Sequence, residues 1–98
     1  MPAQRSFYRY PEHYADYIRR AAGGEDVVIE VPTDKSATIS RNELYNYRYS
    51  LRDEVKNNNP DPQVHELQRM AERLVFSIED SEFGRRIRIF VPKGLKYL

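Results

Sequence analysis

The chain has 98 residues, of which 40% are hydrophobic, and its 16 basic and 15 acidic side chains leave a net charge of +1. This length predicts a single domain, 1–98, and the near balance of charge gives no argument for or against a nucleic-acid partner. The absence of cysteine excludes disulfides and thiolate chemistry, and no apolar run is long enough for a signal peptide or a membrane span, so we expect a soluble cytoplasmic protein.

The chain begins with a polar and aromatic stretch, residues 1–9, that predicts a loose N-terminal arm. A short helix is predicted next, over 11–22. Pro11 suits its first position, and Gly23 and Gly24 suit its end. Its buried face is predicted by apolar residues at helical spacing, which are Tyr14, Tyr17, Ile18 and Ala21.

A β-branched run, 27–31, predicts a strand that ends at Pro32. Residues 33–36 carry the side chains typical of a turn. Because side chains alternate along a strand, we expect Val27, Ile29 and Val31 to face the core.

A helix is predicted over 40–57, and its start carries two known signals. Ser40 and Glu43 have the spacing of a capping box, in which each side chain bonds the other residue's backbone amide. Ile39 and Leu44 have the spacing of a hydrophobic staple. At 100° per residue, the apolar side of this helix consists of Leu44, Tyr47, Leu51 and Val55.

Another side of the same helix combines four cations with two tyrosines. Its members are Arg41, Tyr45, Arg48, Tyr49, Arg52 and Lys56. Cations can neutralise phosphates and tyrosines can stack on bases, which is typical of a nucleic-acid surface. The alternative is a solvated flank, on which arginines cover tyrosine rings or pair with acids elsewhere in the fold.

Residues 57–62 predict a helix-breaking connection between two antiparallel helices. Asp61 can cap the second of these helices, which we expect to continue through Ile78. Its apolar stripe is Val64, Leu67, Ala71, Leu74 and Ile78. Residues 74–79 also alternate like a strand, however, and with 80–84 as a turn they could instead form a hairpin with the last strand.

This last strand is predicted over 87–91, with Ile87, Ile89 and Val91 facing the core. From residue 85 to 98 the chain has five cations and no acid, including a basic tail over 93–98. These cations could steer an anionic partner, or they could satisfy acids within the fold or across a homodimer.

The predicted fold class is α+β: three helices packed on a small two-stranded sheet, in the order α-β-α-α-β with a central helical hairpin. If the two strands are parallel, this hairpin is the crossover between them. An exposed sheet edge is a further reason to expect a homodimer. The predicted core consists of Tyr14, Ile18, Val27, Ile29, Val31, Leu44, Leu51, Val55, Val64, Leu67, Ala71, Leu74, Ile78, Ile87, Ile89 and Val91.

The sequence contains no catalytic motif that we can identify. Its two histidines, His13 and His65, lie on separate predicted helices without a metal-binding spacing. Gly23 and Gly24 follow a helix rather than opening one, so they do not form a phosphate loop. We therefore expect no enzymatic activity, no cofactor and no metal site.

Two functions are compatible with this sequence. The first is a small nucleic-acid-binding accessory protein, and the second is a protein-interaction module, such as an adaptor or an inhibitor of a larger protein. Tyrosine and arginine are also enriched at protein interfaces, so one surface serves either function. The candidate residues are Arg41, Tyr45, Arg48, Tyr49, Arg52, Lys56, Arg85, Arg86 and Arg88, with Lys93 and Lys96 extending the footprint.

Overall fold

A computed structural model describes residues 10–92 and shows six elements in the order α-β-α-α-β-β. The elements are α1 Glu12–Ala22, β1 Val27–Val31, α2 Asp34–Lys56, α3 Pro62–Ala71, β2 Val75–Ser81 and β3 Gly84–Phe90. The predicted α+β class is therefore confirmed. The predicted arm, 1–9, and the basic tail, 93–98, lie outside the described residues. Among the helices in 10–92, none has both the length and the apolar character of a membrane span.

The sheet has three antiparallel strands in the order β1-β3-β2, so the prediction of two strands was wrong. β3 lies in the middle. It pairs with β1, with Ile89 opposite Val27, and with β2, with Ile89 opposite Phe76. Because β1 and β3 run antiparallel, the helices between them do not form the crossover of a parallel pair.

The extra strand arises because α3 ends at Ala71 and not near Ile78 as predicted. Apolar residues at 71, 74 and 78 fit a helical period, but 74, 76 and 78 fit a strand equally well. β-Branched and aromatic residues favour the strand over 75–78. The two-residue turn at Glu82 and Phe83 then returns the chain to pair as β3, with Ser81 opposite Gly84.

α2 begins six residues earlier than predicted, at Asp34, so the expected capping box at Ser40 was also wrong. Thr33 is the N-cap, and its Oγ1 accepts a hydrogen bond from the Ser36 amide at 3.0 Å. Glu43 instead accepts a hydrogen bond from the Tyr14 hydroxyl. Ile39 is 55% exposed, so it does not form a hydrophobic staple.

The core lies between the helices and one face of the sheet. Val27, Ile89 and Phe76 form a buried row across the three strands. All predicted core residues are buried except four that are partly buried and pack against it, which are Ile29, Val55, Ile78 and Val91. Phe76 and Tyr47 are buried core residues that the predicted core omitted.

The opposite face of the sheet has no buried side chain among the described residues. Val28 is 43% exposed and Val75 is 36% exposed. The three helices therefore cover only one side of the sheet.

Candidate nucleic-acid interface

The six predicted residues on α2 share one side of the helix, which we call the α2 flank: Arg41, Tyr45, Arg48, Tyr49, Arg52 and Lys56. Its middle part is an internal contact. The Tyr45 ring meets the Phe76 ring edge to face, with centroids 5.1 Å apart. The Arg48 guanidinium lies 5.0 Å from the Tyr45 centroid and 5.1 Å from the Phe76 centroid. Because Phe76 belongs to β2, this part of the flank joins α2 to the sheet.

Arg48 also ties α2 to the end of α3. Its Nη1 donates hydrogen bonds to the carbonyl oxygens of Ala71, at 3.1 Å, and Leu74, at 3.0 Å. The Ala71 carbonyl, at the end of α3, also accepts from the Leu74 amide at 3.2 Å, so the guanidinium adds a second hydrogen bond there. Its bond to the Leu74 carbonyl holds the segment between α3 and β2. The guanidinium that we expected to bind phosphate is thus engaged within the fold.

Arg52 is engaged by an acid just beyond the end of α3. It makes a bidentate ion pair with Glu72, in which its Nη2 donates to Oε1 at 2.7 Å and its Nε donates to Oε2. Hydrogen bonding from Arg52 lowers the pKa of the Glu72 carboxyl. The Arg52 guanidinium also lies over the Tyr49 ring, 5.2 Å from its centroid, and Tyr49 remains 48% exposed.

The two ends of the α2 flank differ from its middle. Lys56, in the last turn, is exposed and forms no ion pair with another residue in 10–92. Arg41 is half-buried, and its Nε is buried without a hydrogen-bond partner among the described residues. Only these ends keep cations that the described fold leaves unpaired.

On β3, Arg85 lies on the helix-covered face of the sheet, because it alternates with Arg86 and Arg88. Its Nε lies 2.5 Å from Asp34 Oδ1, and its Nη1 pairs with Asp80. These hydrogen bonds raise the pKa of the Arg85 guanidinium. Arg85 therefore joins the start of α2 to the β2–β3 hairpin.

Arg86 and Arg88 lie on the open face of the sheet, where acids also hold them. Glu79 on β2 accepts from Arg86 Nε at 3.3 Å and from Arg88 Nη1 at 3.4 Å. Arg88 Nη2 lies 3.2 Å from Asp26, and its guanidinium covers the Phe90 ring at 4.6 Å. The strand cations thus satisfy acids within the fold, which was one of the alternatives that the sequence left open.

The structure does not join the nine predicted residues into one surface. The α2 flank lies in the helical layer, whereas Arg86 and Arg88 lie on the opposite side of the sheet. The sheet therefore separates Arg86 and Arg88 from the α2 flank, whereas Arg85 lies on the helix-covered face.

A different group of polar side chains stands out on α3, opposite its buried stripe. Gln63, Glu66 and Arg69 are exposed, and we call them the α3 face. Their side chains make no hydrogen bond or ion pair with another residue in 10–92. The sequence contains a signal for this face, because Arg69 lies outside the apolar stripe, but the only role predicted for α3 was that of a core helix.

The two histidines do not lie together at a site. His65 Nε2 donates to the Asn59 carbonyl at 2.6 Å, which ties α3 to the preceding connection. His13 packs edge to face against the Tyr14 and Tyr17 rings. Within residues 10–92, no group of three or more histidine or acidic side chains could hold a metal ion.

Comparison with protein-family models, with curated proteins and with solved structures finds no significant match to this chain. The function must therefore be inferred from the surface itself. In the described part of the chain, that surface offers the unpaired α3 face, Lys56 at the end of α2, and exposed aromatic residues.

Proposed function

We propose that the protein binds nucleic acid, with duplex DNA as its preferred form, and that α3 enters the major groove. α2 and α3 are joined by a short connection, 57–61, that contains Asn58 in a left-handed conformation. In helix-turn-helix proteins, the second helix of such a pair lies in the major groove while the first crosses the backbone. The major groove of B-form DNA admits a helix, whereas that of A-form RNA is too narrow for side chains to read.

The α3 face is the observation that carries this proposal. Glutamine pairs with adenine, arginine with guanine and glutamate with cytosine at base edges in the major groove. Gln63, Arg69 and Glu66 supply these three types on one exposed side of a helix, without partners among the described residues. Lys56, in the last turn of the preceding helix, supplies an unpaired cation for a phosphate.

The surface that supports this proposal differs from the one that the sequence pattern suggested, which combined the α2 flank with the arginines of β3. Lys56 keeps its proposed role, and Arg41 and Tyr49 stay accessible at least in part. Arg48 and Arg52 contribute chiefly by holding α2 against the end of α3. A nucleic-acid contact by either residue would require it to leave these partners.

The test is fluorescence anisotropy with labelled duplex DNA, single-stranded DNA and duplex RNA at two salt concentrations. The double variant Lys56→Ala, Arg69→Ala removes two unpaired cations, and its matched control, Arg86→Ala, Arg88→Ala, removes two paired ones. Each takes the net charge from +1 to −1 (1 − 2). Loss of a base-reading arginine costs about 1–3 kcal/mol, so we expect the first variant to bind duplex DNA roughly 10- to 100-fold more weakly. The control should change affinity by less than about threefold, because its cations are engaged within the fold.

Two results would contradict the proposal. One is duplex binding no tighter than that of an unrelated protein with equal net charge. The other is an equal loss of affinity in both double variants, which would show a general effect of charge. Preference for single-stranded DNA or RNA would retain nucleic-acid binding but remove the major-groove assignment.

Protein binding is the second candidate, and exposed aromatic side chains favour it. Phe83, at the tip of the β2–β3 hairpin, is 74% exposed, and Tyr49 is 48% exposed. Aromatic anchors of this kind dominate many protein interfaces. Binding through them should weaken little as salt rises, whereas phosphate binding weakens steeply. For either function we propose a cytoplasmic location.

A further inference from the structure

β2 is an edge strand, because the strand order is β1-β3-β2. In an antiparallel sheet, every second residue of an edge strand points its backbone amide and carbonyl away from its neighbour. No backbone group elsewhere in residues 10–92 bonds to this side of β2. Such a row of unpaired groups is a template for a further strand.

The β2 edge is less protected than the β1 edge. Native sheets commonly guard their edges with charges, proline or short strands. β1 has five residues, carries Glu30 and is followed by Pro32. β2 has seven residues, and its first four, 75–78, contain no charge, no proline and no glycine, with Val75 36% exposed. Its two acids, Glu79 and Asp80, lie in the second half of the strand and pair with arginines of β3. Of the two edges, β2 is thus the better one for accepting a strand.

The charges at the two ends of β2 are opposite in sign, so they attract each other when two copies of the strand pair antiparallel. Arg73 precedes the strand, and Glu82 follows it. Neither forms an ion pair with another described residue. Antiparallel pairing of two copies brings the basic start of each strand to the acidic end of the other, whereas parallel pairing brings like charges together.

The side chains of β2 also fit one antiparallel register. With Ser77 opposite its own counterpart, Phe76 faces Ile78 of the second copy, which extends the apolar side of the sheet. Glu79 then faces Val75, so no two like charges lie opposite each other over 75–79.

From this edge and its charges we propose that two copies of the chain associate through β2. Their strands pair antiparallel about a twofold axis, and the two sheets become one sheet of six strands. A twofold axis uses the same patch on both copies, so each contact occurs twice in the dimer. With Ser77 on the axis, Arg73 lies opposite Ser81 of the second copy, one position from its Glu82. This assembly does not depend on the proposed nucleic-acid function.

The register can be tested with a single engineered cysteine, because the chain has none. In the Ser77→Cys variant, the two thiols would lie directly opposite each other, with Cα atoms about 4.5–5.5 Å apart, within the range of a disulfide. The control is Thr38→Cys, at an exposed position on α2. Under mild oxidation at low protein concentration, Ser77→Cys should form linked dimers at least about tenfold faster than Thr38→Cys. Equal rates would overturn the proposed register.

The association itself can be tested by sedimentation equilibrium with Arg73→Glu, Glu82→Arg and the double variant, with circular dichroism to verify folding. Each single reversal makes two attractive pairs repulsive, so we expect the dimer dissociation constant to rise about tenfold. The double variant should recover to within about threefold of the original chain. Because Arg73 and Glu82 do not pair within one copy, such recovery indicates contact between copies. A monomer at every concentration, or a double variant no better than the singles, would overturn the proposal.

Discussion

Replacing Arg48 with alanine removes the hydrogen bonds from α2 to the Ala71 and Leu74 carbonyls, which measure 3.1 and 3.0 Å. Hydrogen bonds to a charged group contribute about 1.5–3 kcal/mol each, and stacking of the guanidinium on aromatic rings adds about 0.5–2 kcal/mol. The site is only partly buried, so water can replace part of what is lost. We therefore expect the free energy of unfolding to fall by about 2–4 kcal/mol.

The assay is urea denaturation followed by circular dichroism. Arg52→Ala is the matched control, because Arg52 lies one turn further along α2 but holds Glu72 in an exposed ion pair. Pairs of that kind contribute about 0–1 kcal/mol. Arg48→Lys should recover only part of the lost stability, since an ammonium lacks the planar fork and the ring stacking of a guanidinium.

A result within about 0.5 kcal/mol of the unmodified chain would refute this reasoning, because changes at unimportant surface positions have that size. A folded Arg48→Ala variant of full stability that no longer bound nucleic acid would have a different meaning. It would place Arg48 at the phosphate contact that the sequence pattern suggested.

Two further predictions concern titration and backbone geometry. Burial raises the pKa of Tyr47 to about 12 and also raises the pKa of Tyr14, so both residues stay protonated in the folded chain above the ordinary value of 10.0. Their contribution to stability should thus be complete below pH 10.0 and be lost as the pH rises toward 12. The test follows tyrosinate absorbance and circular dichroism as the pH is raised. Ionisation of every tyrosine at the ordinary value of 10.0, in a chain that keeps its native circular dichroism, would contradict this. Gly84 has a φ of 132°, and an added Cβ would lie 2.5 Å from the Pro32 carbonyl oxygen; Gly84→Ala should cost about 3 kcal/mol or more in urea denaturation. Gly24→Ala, with a φ of 105° but open space around it, should cost about 1–2 kcal/mol, and equal costs would show that the contact with Pro32 has no effect.

Local patterns predicted the elements whose signals had no competitor. α1 ends before Gly23 and Gly24, and the predicted strands 27–31 and 87–91 fall in β1 and at the end of β3. The errors occurred where two valid signals overlapped. Ser40 and Glu43 have the spacing of a cap, but Thr33 caps the same helix earlier, immediately after the first strand.

The candidate site was harder to predict, because residues far away in the chain decide which of its cations form ion pairs within the fold. Arg88 pairs with Asp26, which is 62 residues away, and Arg52 pairs with Glu72, which is 20 residues away. A helical projection orders the cations of one helix but contains no information about acids that folding brings to them. The α3 face was open to prediction, since Arg69 lies opposite the buried stripe of its own helix.

Nucleic-acid contact through α3, and not through the α2 flank or β3, is the assignment on which the proposed function depends. It is tested most directly by titrating nitrogen-labelled protein with a short DNA duplex and following the backbone amides by nuclear magnetic resonance. We expect the largest shifts over residues 62–70 and at Lys56, with little change over 85–88. Shifts concentrated on β3 or around Tyr49, or no shifts at all, would contradict this assignment.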